Sequence, residues 1–167
     1  MKSKIHTALC CTLLLAISAS AAAEDATFEI TVMTPDTALK VAQAALADCR
    51  SKGYQVAVVV VDRMGVPQAM IRDRYAGPHT PDTAFRKAWT AVSFREATLL
   101  MSENTAAGSP QAGVRHVTNA LMLGGGVPIE AGGSIVGGVG ISGAPGGDAD
   151  DACSRAGIEA VMADLEF

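Results

Sequence analysis

The sequence predicts one α+β domain, a single antiparallel sheet with helices packed on it, in the element order α-β-β-α-β-β-α. Three observations carry that expectation. The chain has 167 residues, which suits one domain rather than two. Two helix-start signals, Thr34-Pro35-Asp36 and Thr80-Pro81-Asp82, each precede apolar residues at helical spacing. The β-branched runs come in pairs joined by short glycine turns, so neighbouring strands form hairpins and run antiparallel.

Residues 24–33 read as a short lead-in, extended through Phe28, Ile30 and Val32. The first helix is expected over 35–52: Thr34 is its N-cap, Leu39, Ala42, Ala45, Leu46 and Cys49 form its apolar stripe, and Gly53 closes it. Residues 55–61 are apolar on both faces and read as a central strand. After the turn Asp62–Gly65, residues 66–72 return as its hairpin partner, and 73–78 are a loop. The second helix starts with Thr80 as its cap and carries Ala84, Phe85, Ala88, Trp89, Val92, Ala97, Leu99 and Leu100 on one face. Residues 102–118 are polar and broken by Gly108, Pro110 and Gly113, so a loop with short helical turns is expected. Strand character resumes at Leu121–Leu123, breaks at Gly124–Gly126, and continues through Val127-Pro128-Ile129 and then Ser134–Ser142. The closing helix spans Asp148–Leu165, with Asp148, Asp150 and Asp151 suited to the positive end of its dipole.

Composition narrows the function. Aromatic residues are 4% of the chain and the net charge is −4, which argue against an aromatic platform for single strands and against a nucleic-acid partner. Lys2 and Lys4, the apolar run Ala8–Ile17 and the small residues Ser18–Ala23 have the form of a secretory signal peptide, cut after Ala23. The apolar run is too short for a spanning helix of about 20 residues. A lipoprotein role for Cys10 or Cys11 fails because almost no apolar segment precedes them. The expectation is therefore a leader over residues 1–23, a domain over 24–167, and a periplasmic or secreted protein with no membrane span after cleavage. The mature chain keeps Cys49 and Cys153; a disulfide between them and two separate buried thiols are both open readings.

Few residues carry chemistry by spacing. Gly138–Gly143 fits GxGxxG, but no second parallel strand follows, so the dinucleotide reading fails. The aspartates at 148, 150 and 151 suit a helix N-terminus better than a cation site. The mature chain holds two histidines, His79 directly before the second helix and His116 in the polar segment. Imidazole ligates metals and haem iron, and loops tend to carry sites. Residues 63–115 hold seven basic side chains against four acidic ones in an otherwise acidic protein, a balance that suits an anionic small molecule.

Four blocks then resemble the GlcG/HbpS family: Val58–Gly65 (VVVVDRMG), Arg86-Lys87-Ala88-x-Thr90-Ala91, Gly125–Ile129, and Ile135–Gly143 followed by Asp148. They occur in order over about residues 32–165. The resemblance implies a profilin-like fold, self-association into homo-oligomers, and haem handling that in some members is described as degradation. The chain departs from the family at Gly137–Ala144, where relatives often read Gly-Ala-x-Gly-x-Ser-Gly-Gly, and at Trp89, where a smaller residue is common. The expected function is exported haem binding, with His79 as iron ligand, His116 as the alternative ligand, and Arg72, Arg74, Arg86 and Lys87 for the propionates. An oligomeric binder of a small organic anion and a weak haem-degrading enzyme are the competing readings.

Overall fold

The computed structural model describes residues 26–165; the expected leader, with Cys10 and Cys11, lies outside them. Helix α1 (Pro35–Ser51) starts as its sequence dictates, with Thr34 Oγ1 accepting the Thr37 N–H at 3.2 Å. It ends at Lys52, where Gly53 supplies the left-handed turn (φ 82°). Strands β1 (Ala57–Asp62) and β2 (Pro67–Arg72) form the expected hairpin. After α2 (Thr80–Phe94) and α3 (Thr98–Asn104) come a 3-10 turn (Ala112–His116) and a second hairpin, β3 (Gly126–Ala131) and β4 (Ser134–Ser142). Helices α4 (Gly147–Glu159) and α5 (Met162–Leu165) complete the described chain.

The four strands form one antiparallel sheet in the order β2-β1-β4-β3, so the predicted fold class holds. The valine run makes β1 central because both of its faces are covered. Val58 and Val60 join the core beneath α1 and α4, while Ala57, Val59 and Val61 meet α2 on the other side. The glycines of the GxGxxG match serve this second contact. A Cβ at Gly138 would lie 2.7 Å from Val92 Cγ1, and one at Gly140 would strike the backbone of Ala84 and Ala88, so α2 rides directly on β4.

Four expectations need correction. Thr80 is not a cap: His79 occupies that position, and the buried Thr80 hydroxyl donates to Gly77 O at 2.7 Å to close the preceding turn. The second helix does not run on to Leu100, because Arg95 turns left-handed (φ 58°) and the chain restarts as α3. Residues 121–123 are not a strand. Their backbone is satisfied by side chains instead: Leu121 N–H donates to Thr90 Oγ1 at 2.9 Å, and Leu123 O accepts from Thr98 Oγ1 at 2.6 Å. The last helix breaks at Ala160–Val161, which turns Val161 and Leu165 into the core.

Cys49 of α1 and Cys153 of α4 form a disulfide with a Cα–Cα separation of 5.6 Å, at the centre of the α1/α4 core. One residue beyond Cys49, Arg50 reaches out of α1 and grips Asp73, Nε to Oδ2 at 2.7 Å and Nη2 to Oδ1 at 3.0 Å. That fork holds the Asp73 carboxyl below its ordinary value; the Arg74 N–H adds to the effect and burial opposes it. A carboxylate depressed in the folded state stabilises the fold above its unfolded value of 3.8 and ceases to do so as pH falls through the folded value. Asp73→Asn is therefore expected to lower the urea midpoint at neutral pH and to converge with wild type below pH 3.8 as the acid is titrated. Curves that coincide at every pH would show that the fork contributes nothing, and a constant offset would show that the carboxylate charge is not the cause.

Candidate functional site

A cleft of about 710 Å³ opens where the start of α2 meets the loops before α2 and before α4. Tyr54 and Gln55, just past α1, form one wall; Tyr75, Gly77 and His79 form the rim; Ser142–Gly147 form the opposite wall. Lys87 and Asp150 lie at its floor, with Leu123 beside them. Two other hollows, of about 500 and 340 Å³, flank Arg95 and contain none of the candidate haem ligands or propionate cations.

The rim is pinned through its backbone. Asp73 N–H donates to Val56 O at 2.9 Å, the Arg50 fork fixes the Asp73 side chain, and Arg72 Nη2 donates to Ala76 O at 2.6 Å. Tyr75 projects from this held loop and is 80% exposed. His79 is exposed, and its ring makes no capping bond to α2. The ring lies over Gly77, where an added Cβ would stand 2.7 Å from Cε1 and 2.9 Å from Nδ1. Gly77 does not adopt a positive φ, so its role is to leave room for the imidazole. On the near wall the Gln55 Oε1 is buried with no hydrogen-bond partner, an orphaned acceptor in a ligand-sized space.

The floor is an ion pair removed from water. Lys87 is 3% exposed, and its Nζ donates to Asp150 Oδ2 and to Ile141 O, both at 2.8 Å. The second Asp150 oxygen accepts the Ala144 N–H at 3.0 Å, which ties the far wall to α4. Burial pushes the Asp150 carboxyl above its ordinary range, against the pull of Lys87 and of the Ala144 N–H. Gly124–Gly126 fit beneath: a Cβ at Gly125 would lie 2.6 Å from Asp150 Cβ and 3.1 Å from Lys87 Nζ.

Of the residues singled out from the sequence, the structure brings His79 and Lys87 to the same cleft. Arg86 is adjacent to Lys87 in sequence, but successive helix residues face different ways. Its guanidinium turns to Asn119 O and Ala120 O at 3.4 and 3.0 Å. Arg72 and Arg74 are exposed on the strand end and loop that lead to the rim. His116 is exposed on the 3-10 turn, away from the cleft lining. Asp150 was one of three aspartates in the sequence with nothing to distinguish it; Asp151 is taken by Arg155 at 2.6 Å. The signal that separates Asp150 was Lys87 itself, a cation at the apolar spacing of Ala84, Ala88 and Ala91 that needs a buried acid.

Comparisons with known proteins agree with this architecture. The family model described as haem degrading protein HbpS-like matches residues 33–159. The crystal structure of a double mutant of Streptomyces reticuli HbpS superposes with a TM-score of 0.76 at 36% identity, covering 85% of this chain and 96% of that one. The structure of PduOC in complex with haem superposes with a TM-score of 0.75 at 26% identity, over 79% of this chain and 96% of that one. A 15.0 kDa protein from the dhaT-dhaS intergenic region of Citrobacter freundii is 31% identical over 118 residues, 69% of this chain and 82% of that protein. The match spans the four sequence blocks and every strand of the sheet, and the chain belongs to the HbpS-like family.

Proposed function

We propose that this protein is an exported haem binder that holds the tetrapyrrole in the cleft, with His79 as iron ligand. The observation that carries the reading is the uncommitted His79 imidazole on the rim of a cleft of about 710 Å³. Tyr54, Tyr75, Leu123 and Pro145 offer apolar surface to a flat macrocycle, which fits the group. Arg74, exposed on the loop that carries Tyr75, and Arg72, at the end of β2 with one guanidinium nitrogen on Ala76 O, are the cations assigned to the propionates in this reading; Lys87 already has the Asp150 carboxylate. Bound haem supplies redox-active iron, and the chain supplies its orientation and its shelter from solvent. The haem complex of PduOC supports the reading at the level of ligand class.

Export and self-association belong to the same proposal. The leader-like residues 1–23 support export, as does a disulfide between the two cysteines such a leader would leave, since these bonds persist in oxidising compartments. Phe28, Met64, Val66 and Met70 are large apolar side chains more than half exposed, which supports association between copies.

A haemin titration of the mature protein followed by difference spectra tests the site. A saturable Soret shift is expected in wild type and in His116→Ala, and its loss in His79→Ala. Gly77→Ala crowds the imidazole from below and forces it to shift, so affinity should fall. An identical titration in wild type and His79→Ala overturns the ligand assignment. A weak, nonsaturating response in all four proteins overturns haem binding and favours a small organic anion. Decay of the Soret band under reductant would identify turnover.

A further inference from the structure

Haem binding leaves the floor of the cleft unexplained. The other described lysines, Lys40 and Lys52, pair with acids at the surface, their side chains 60% and 40% exposed. Lys87 is instead carried inside, to the bottom of a ligand-sized opening, with a single buried carboxylate as its charge partner. Two of its three donor positions are used, by Asp150 Oδ2 and Ile141 O. Gly125, with φ 115°, keeps a side chain from crowding the amine.

The Nζ–Oδ2 hydrogen bond of 2.8 Å is also a path by which a proton can pass from Lys87 to Asp150, leaving a free amine beside a carboxylic acid. The upward displacement of the Asp150 carboxyl is in the direction this requires. A desolvated neutral lysine is a nucleophile toward carbonyl carbon, and a carboxylic acid 2.8 Å away is placed to move the protons.

We propose that Lys87 captures small aldehydes as an imine on the floor of the cleft, with Asp150 as proton carrier. The Nζ lone pair forms a bond to the carbonyl carbon while the carbonyl oxygen takes the Asp150 proton. The nitrogen returns a proton to Asp150, giving a neutral carbinolamine. Asp150 then protonates the hydroxyl, the carbon–oxygen bond breaks, and water leaves as the nitrogen lone pair closes the carbon–nitrogen double bond. The product is a protonated imine facing the Asp150 carboxylate, so an ion pair is restored and neither an oxidant nor a reductant is consumed.

The test is trapping on haem-free mature protein with propionaldehyde at one equivalent, followed by borohydride and peptide mapping. One propyl group on Lys87 is expected, with Lys40 and Lys52 unmodified. Lys87→Arg, which keeps a cation for Asp150 and cannot form an imine, should acquire no label. His116→Ala, outside the cleft lining, should be labelled as wild type, and because the protein is free of haem the result does not depend on the haem reading. Label confined to the α-amine, Lys40 and Lys52, label spread evenly over these amines and Lys87, or no label at all overturns the proposal. Because the map of wild type alone decides between these outcomes, a Lys87 variant that fails to fold does not weaken the test.

Discussion

Asp150→Ala is expected to lower the unfolding free energy by about 3–5 kcal/mol, the usual cost of removing one partner from a buried pair. Three elements depend on that carboxylate. It answers the Lys87 charge from α2, it takes the Ala144 N–H from the loop after β4, and its own Cβ closes over Gly125. The variant leaves Lys87 either charged without a counterion or neutral and short of an acceptor, and it orphans a backbone donor as well. The loss is the penalty of that exposure rather than the net worth of the pair. Lys87→Met combined with Asp150→Ala should therefore recover the part of the loss that comes from the unpaired Lys87 charge, while the Ala144 N–H stays without its acceptor. Denaturant unfolding at neutral pH checks both arms. A loss below about 1 kcal/mol in the single variant would place the pair among solvent-screened surface bridges, contrary to its burial.

What the sequence made legible follows from how locally each feature is determined. α1 was readable to within a residue because its cap, Thr34, and its stop, Gly53, act on their own neighbours. β1 was readable as central because a run of valines has no polar face to offer to water. The break at Arg95 was not, since a left-handed position normally announces itself with Gly or Asn, and here it is an arginine. Residues 121–123 have strand composition, yet their hydrogen bonds go to Thr90 and Thr98, 31 and 25 residues away, through contacts that periodicity cannot register. The cleft divides in the same way. His79 was legible as a loop histidine before a helix, whereas the partner that defines Lys87 lies 63 residues further on, among aspartates of equal local merit. The two cysteines were legible as a choice, and packing of α1 against α4 made it.

Cys49→Ala with Cys153→Ala is expected to cost about 4–5 kcal/mol, because the bridge spans 104 residues and closing a loop of that size removes much of the freedom of the unfolded chain. The effect should have two signatures. The denaturant midpoint falls, and the slope of the transition rises, since an uncrosslinked chain exposes more surface when it unfolds. Truncating two buried sulfurs also leaves small voids, so reduced wild type is the necessary comparison: with both thiols in place it lacks the crosslink and keeps the packing. Reduced wild type is expected to lose most of what the double variant loses. The bridge also stands between the supports of the cleft, one residue from Arg50, which holds the rim through Asp73, and on the same helix as Asp150 at the floor. Hydrogen exchange in the reduced protein should therefore quicken at Asp73–Gly77 and Ala144–Asp150 before it quickens in β1 and β4. Unchanged midpoint and slope on reduction would mean that packing of α1 against α4 holds these elements without the bridge.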